Sequence, residues 1–291
     1  MKHITDLNRD RNTQIIQQAK DLNSLLLANN ITPIFLKGTA NLLAELYQNL
    51  SERMVGDIDF IFSKKDYPKA ITVLKEFGYS EVKKREYYDP DEKHYGRLQK
   101  DTNIAAIEIH SRLLDIKKYD YEFNYGFVEK NSQVIKGVTV LSYANKLNLS
   151  IIANQINDSG FYYKTMALRN AYDVFLLSKK TNAKSAVNSL DNLTNPLNCF
   201  LAACYEVFNK VESIEYIKNA KTALYLINFN NQFTKPVKRQ SKRNKIYLFI
   251  KRILYVLHKS LKYKEYRVFL FKSLTDKDWC KRKLVQLGIK K

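Results

Sequence analysis

Hydrophobic patterning changes character once along this chain, and that change constrains the fold more than any single residue. Up to about residue 141, short apolar runs bounded by polar or turn residues recur at 34–36, 57–62, 104–109 and 134–141. Runs of that length with such flanks read as strands. Segments 39–47 and 66–77 between them have helical spacing, the second ending at Gly78 as a helix C-terminus would. Ahead of them Ile15, Ile16, Ala19, Leu22, Leu25, Leu26 and Leu27 repeat at a helical period over residues 7–29, an amphipathic opening helix stopped by Asn29-Asn30. Beyond Ser142 the strand signal disappears. Segments 142–157, 165–178, 183–193, 196–211 and 214–227 all favour helix, with breaks at 157–160 and 192–196. The expected class is therefore α+β: a mixed sheet with flanking helices over residues 1–141, a helical domain over 142–234, and a basic, aromatic-rich helical region over 235–291.

Charge follows the same division. The chain of 291 residues carries +20, and residues 235–291 hold 19 Lys and Arg against 3 acids, so about +16 of the total lies in the last fifth. The run 235–245 reads as an exposed linker to terminal helices. Basic residues interleaved there with Tyr247, Phe249, Tyr255, Tyr263, Tyr266, Phe269, Phe271 and Trp279 suit a solvated helical surface, an anionic membrane surface or nucleic acid. Membrane crossing is not expected, because the most apolar stretch, 246–261, is interrupted by Lys251, Arg252, His258 and Lys259. The polar N-terminal segment lacks the apolar core of a signal peptide. Cys199, Cys204 and Cys280 form no disulfide framework or zinc pattern. A reduced, cytoplasmic protein, with peripheral membrane contact left open, is the expectation.

The strongest chemical signal is Arg53-Met54-Val55-Gly56-Asp57-Ile58-Asp59-Phe60-Ile61-Phe62. Side chains two apart on a strand share a face, so Asp57 and Asp59 set two carboxylates side by side while Ile58 and Phe60 turn away. Adjacent like charges need a cation, and hard oxygen donors at this spacing suit Mg²⁺ or Mn²⁺; a solvated polar strand end is the bland alternative. Upstream, Ile34-Phe35-Leu36-Lys37-Gly38-Thr39 reads as strand, tight turn and helix start. Gly38 permits close backbone approach, Thr39 stands where an N-cap would, and the following amides could receive an anion. Downstream, Glu108 and His110 alternate with Ile107 and Ile109.

Together these segments resemble the nucleotidyltransferase superfamily with a DNA polymerase beta-like fold, in which a Gly-Ser or Gly-Thr turn precedes an Asp-x-Asp strand and a third acid follows on a later strand. Leu36-Lys37-Gly38 and Arg53 with Gly56-Asp57-Ile58-Asp59 are more similar to its branch of uncharacterised nucleotidyltransferases, with further likeness to the nucleotidyltransferase toxins of abortive-infection systems. The resemblance implies a polymerase beta-like palm. It implies Asp57, Asp59 and Glu108 as catalytic metal ligands, and Lys37, Gly38, Thr39, Arg53, Gly56 and His110 about the nucleotide. It also implies an NTP such as ATP as substrate, a nucleoside monophosphate passed to an acceptor (protein, RNA, sugar or small molecule), and pyrophosphate released. His94 loosely matches a His-containing stretch of the branch. Asp173, in a segment resembling a later helix of that branch, either lines the cleft or, by the plainer reading, lies on a helix surface. A binding module that kept the fold and lost turnover is the rival expectation.

Overall fold

The alternation about Asp57 becomes the central strand of a seven-stranded mixed sheet. This computed structural model describes residues 2–83, 86–234 and 238–289. The chain opens with α1 (Lys2–Ala28), then β1 (Ile34–Phe35), α2 (Lys37–Leu43), β2 (Asp57–Ile61), α3 (Asp66–Glu76), β3 (Ser80–Glu81), β4 (Leu98–Gln99) and β5 (Ala106–His110). It continues through α4 (Tyr125–Lys130), β6 (Ser132–Ile135) and β7 (Val138–Leu141). Helices follow to the end: α5 (Tyr143–Ile152), α6 (Gly160–Tyr163), α7 (Leu168–Ser178), α8 (Ala183–Asn188), α9 (Thr194–Val207), α10 (Ala220–Thr234), α11 (Lys238–Lys262), α12 (Lys264–Thr275) and α13 (Lys277–Gln286). The strand order is β3-β4-β5-β2-β1-β7-β6, with β2 parallel to β5 and antiparallel to β1.

The inward positions of α1, Ile15, Ala19, Leu22 and Leu26, are buried, and so are Ile58, Phe60, Ile107 and Ile109 of the two central strands. One continuous apolar cluster runs from Ile15 through these strands to Leu147, Val174, Leu197 and Ile214 of the helical half. Phe35 and Phe60 meet edge to face at 5.6 Å, a favourable ring geometry. Gly78, with φ 94°, ends α3 in the left-handed conformation its missing side chain allows.

Several expectations are corrected. Segment 134–141 is a hairpin rather than one strand, turned by Lys136 (φ 51°) and Gly137 (φ 80°). Two successive positive φ values give the turn whose twist suits a two-residue hairpin. β-Branched residues on both sides hid it, and Lys is not a usual first turn residue. The two-residue strands β3 and β4 are too short to show a period. Helix α2 begins two residues earlier than expected, with extended Leu36 at its N-cap and no side-chain cap, so Thr39 lies inside it. The expected linker 235–245 is helical from Lys238 onward, since Lys, Arg and Gln are good helix formers and nothing there breaks the turn; residues 235–237 lie outside the described residues.

The last three helices are fastened to the loop that joins β3 to β4. Arg252 of α11 spans two acids of that loop, with Nη2 2.6 Å from Asp89 Oδ1 and Nη1 2.6 Å from Asp91 Oδ2. Tyr266 of α12 donates to Asp91 at 2.6 Å, Lys117 meets Asp91 at 2.8 Å, and Tyr87 donates to Asp276 at 2.9 Å.

Candidate metal and nucleotide site

Parallel pairing of β2 with β5 sets Asp57 opposite Ala106, Asp59 opposite Glu108 and Ile61 opposite His110. In-register parallel strands keep their alternation in phase. Asp57, Asp59, Glu108 and His110 therefore share one face, while Ile58, Phe60, Ile107 and Ile109 fill the core on the other. Ligand atoms of Asp59, Glu108 and His110 all lie within 4.8 Å of one another, a group that could hold a metal ion. Asp57 belongs to the same face, but its carboxylate is engaged by Arg97, whose Nε also lies 3.6 Å from Glu108 Oε1.

A second cation sits deeper. Lys37 Nζ lies 2.5 Å from Asp59 Oδ1, 3.4 Å from His110 Nε2 and 3.9 Å from Glu108 Oε2. Lys37 holds this position from a left-handed backbone, φ 51°, uncommon for a residue with a side chain; strain of this kind collects at functional sites. Burial works against the Asp59 charge, yet Lys37 and the His110 hydrogen bond hold its carboxyl well below the usual range. Burial works against Lys37 as well, but Asp59 raises it. Glu108 moves the other way, raised by burial and by the neighbouring Asp59. The two acids thus differ in role: Asp59 is firmly ionised, and Glu108 is the weaker acid of the pair.

His110 is almost fully buried, and burial pushes it down to about 4, so the ring is neutral near pH 7. Asp59 Oδ1, 2.9 Å from Nε2, can only accept, which places the single ring proton on Nε2. Among the described residues, Nδ1 is then a buried atom without a hydrogen-bond partner. As arranged here, His110 orients Asp59; direct ligation through Nε2 would require its proton to move to Nδ1, where nothing receives it. His94 packs edge on against His110 at 5.5 Å, on an isolated strand bridge between the two residues.

The remaining candidates gather about the turn before α2 and the segment before β2. A Cβ on Gly38 would meet Val55 Cγ2 at 3.0 Å, so glycine lets α2 approach the segment before β2. Thr39 is buried and donates to the carbonyl of Asp57 at 3.0 Å, tying the turn to the acidic strand. Arg53 forms a buried pair with Asp173, its Nη2 3.2 Å from Oδ2, while its Nη1 lies 3.6 Å from where a Gly38 Cβ would stand; Tyr47 donates to the same acid at 2.8 Å. Asp173 is therefore not on the helix surface; burial raises it, opposed by Arg53. Gly56 is exposed, with open space where a Cβ would go, and its carbonyl accepts from Arg11 at 2.9 Å.

Four residues that support the site escaped the sequence reading. Arg97 stands just before β4, too short a strand to reveal which way its neighbour points. Arg11, Asn12 and Gln18 fall on or beside the apolar stripe of α1 at 100° per residue, so polar residues on the core-facing side were a readable signal that a count of apolar positions passes over. Asn12 is buried and donates to the carbonyls of Leu50 and Arg53 at 2.6 and 2.7 Å. Arg11 holds the carbonyl of Val55 at 3.0 Å, and Gln18 exchanges hydrogen bonds with both backbone groups of Ala105. These contacts fix the chain just upstream of Asp57 and of Glu108.

A central mixed sheet bearing paired acids on β2 and a third on the neighbouring parallel strand, with helices around it, defines a nucleotidyltransferase-like α+β protein with a candidate acidic metal site. The chain belongs to the uncharacterised nucleotidyltransferase family, whose model matches residues 1–208. Among solved structures it is similar to an antigenic nucleotidyltransferase-like protein from Paracoccidioides brasiliensis, at 15% identity and TM-score 0.48 over 72% of this chain and 96% of that one. It is also similar to JHP933 from Helicobacter pylori, at 17% identity and TM-score 0.34 over 78% of this chain and 94% of that one. No match was found among curated proteins.

Proposed function

We propose that this protein is a divalent-metal-dependent nucleotidyltransferase that moves a nucleoside monophosphate from an NTP to an acceptor hydroxyl. The observation that carries the reading is the convergence on one sheet face of Asp59, Glu108 and His110, with Asp57 beside them and two basic side chains interposed. The donor set fits Mg²⁺ or Mn²⁺: three carboxylates supply hard oxygens, and Lys37 and Arg97 stand among them as substitutes for cationic charge. Asp57, Asp59 and Glu108 would hold the metal. When bound it would neutralise the triphosphate and polarise the α-phosphoryl group.

The chain's own residues do the rest. His110 donates to Asp59 Oδ1 and fixes the carboxylate's orientation on the sheet face. Lys37 and Arg97, released from the carboxylates, become donors for phosphate oxygens. Glu108, opposite Asp59 on the neighbouring parallel strand, would complete the carboxylate set. Arg53, held by Asp173 and lying beside Gly38, buttresses the segment before β2 at the edge of the turn.

Calorimetric titration of the purified protein with Mg²⁺ and each NTP tests the reading, with Asp57→Asn/Asp59→Asn as control. Metal-dependent NTP binding that the double variant loses is expected; its absence in the natural protein would count against the proposal. One observation favours a second reading, a nucleotide-binding module without turnover: Lys37 and Arg97 already pair with Asp59 and Asp57 without any metal. Labelled NTP incubated with cell extract separates the two. Transfer of label that depends on Asp57 and Asp59 excludes a pure binding role, and the labelled product identifies the acceptor.

A further inference from the structure

Helix α11 has two apolar faces, and only one is covered. On the covered side Val256 and Ser260 are buried, and Arg252 reaches Asp89 and Asp91. On the other, Ile250, Leu254, Leu257 and Leu261 are 51, 61, 43 and 79% exposed. Their spacing of four, three and four residues places them along a single stripe at 100° per residue. Tyr247, stacked on Tyr162 at 5.5 Å, extends the stripe by a turn. Lys251, His258 and Lys262, all exposed, border one edge of it by the same arithmetic.

We propose that this stripe docks α11 flat on an anionic membrane surface, its leucines entering the acyl boundary and its lysines meeting the headgroups. Three observations select that occupant. The helix contains no Asp or Glu, and the region around it holds most of the chain's +20 charge, so the partner is anionic. A second copy pairing through the same stripe would set lysine against lysine, without the opposite charges that normally flank such a seam. Nucleic acid offers phosphate to the lysines but nothing to exposed Leu and Ile, which neither stack on bases nor hydrogen-bond. Lipid satisfies both halves of the surface, the arrangement of an interfacial amphipathic helix. Among the described residues no helix is long and apolar enough to cross a membrane, so the contact lies in the plane of the surface.

Co-sedimentation of the full chain with phosphatidylcholine vesicles, with and without phosphatidylglycerol, tests this at low and high salt. Binding to the phosphatidylglycerol vesicles alone, weakened by salt, is expected. Leu254→Glu/Leu261→Glu should weaken it on the order of a hundredfold, and Lys251→Gln/Lys262→Gln about tenfold. Both pairs are exposed, so circular dichroism and thermal melting should stay unchanged and confirm that each variant folds. No binding to anionic vesicles, or binding that survives the leucine pair, overturns the proposal. So does a dimer in light scattering, or a bound single-stranded oligonucleotide, that the leucine pair disperses while vesicle binding persists.

Discussion

The sheet half and the terminal helices reverse the usual placement of residue types, in opposite directions. In the sheet half polar groups are inside: Asn12, Gln18, Asp59 and His110 are all buried, and so are Lys146 of α5 and Asp173 of α7 in the helices that follow. Along α11 and α12, apolar groups are outside, with Leu254, Leu261, Phe271 and Leu274 all mostly exposed. Burying a polar group is costly unless it is paired, and exposing apolar surface forgoes the main driving force of folding. Each reversal therefore marks a place where the chain gives up stability for a purpose. Under the two proposals above, the purpose in the sheet half is a site whose charges are held in fixed positions, and in the terminal helices a surface that meets a membrane.

The largest effect is expected where the buried charge is chemical. Asp59→Asn removes the acid that Lys37 and His110 both address, and metal-dependent NTP binding or label transfer should fall on the order of a thousandfold. A loss of only a few-fold would mean that the buried acids are structural. Asn12→Ala tests the supporting layer: it removes two hydrogen bonds to backbone carbonyls and strands those groups in the interior. Thermal or urea unfolding should show a loss of about 3 kcal/mol.

Lys146 should behave in the reverse sense. It is buried on α5 with its amine 3.3 Å from the Ala40 carbonyl, and burial alone pushes it down from 10.5 to about 7. Between those values the unfolded chain binds a proton that the folded chain releases. Folding is thus unpenalised by this group above 10.5, progressively penalised as pH falls, and fully so below about 7. Lys146→Met should therefore stabilise by several kcal/mol, at most about 5, at pH 7 or below, the gain shrinking towards pH 10. A pH-independent change in unfolding free energy would show that the amine is not the cause.

The smallest effect belongs to the fastening between the two regions. Arg252 is partly exposed, so Arg252→Gln should cost only about 1 kcal/mol despite its two short ion pairs. Limited proteolysis should nevertheless cut α11–α13 faster, because those ion pairs tie α11 to the β3–β4 loop. Unchanged cleavage would place the attachment in the apolar contacts instead.

Much of the sheet half was legible from local pattern. The alternation of Asp57-Ile58-Asp59 and of Ile107-Glu108-Ile109-His110 fixed which residues face the core, because a strand's period of two is a property of the backbone. The stop at Gly78 and the shift to helices after Ser142 were equally local. Illegible features were those whose signal lies in a neighbour. A two-residue strand such as β4 has no period to read, so Arg97 could not be aimed at Asp57. The period of α1 puts Asn12 and Gln18 on its core-facing side, which foretells burial, but not that the carbonyls of Leu50, Arg53 and Ala105 are what satisfy them. Arg53 lies next to the acidic strand in sequence, yet its partner is Asp173, on a helix more than a hundred residues away.

By itself, then, the sequence determined the α+β order of elements and that Asp57, Asp59, Glu108 and His110 could share a face, since alternation within a strand needs no partner. Only the tertiary structure decided that β2 and β5 pair in parallel register with Asp59 opposite Glu108. It also decided that Lys37 and Arg97 supply the counter-charge, and that α11 covers one apolar face and leaves the other bare. Those outcomes depend on which surfaces meet, and each is chosen by burial and charge across segments far apart in the chain.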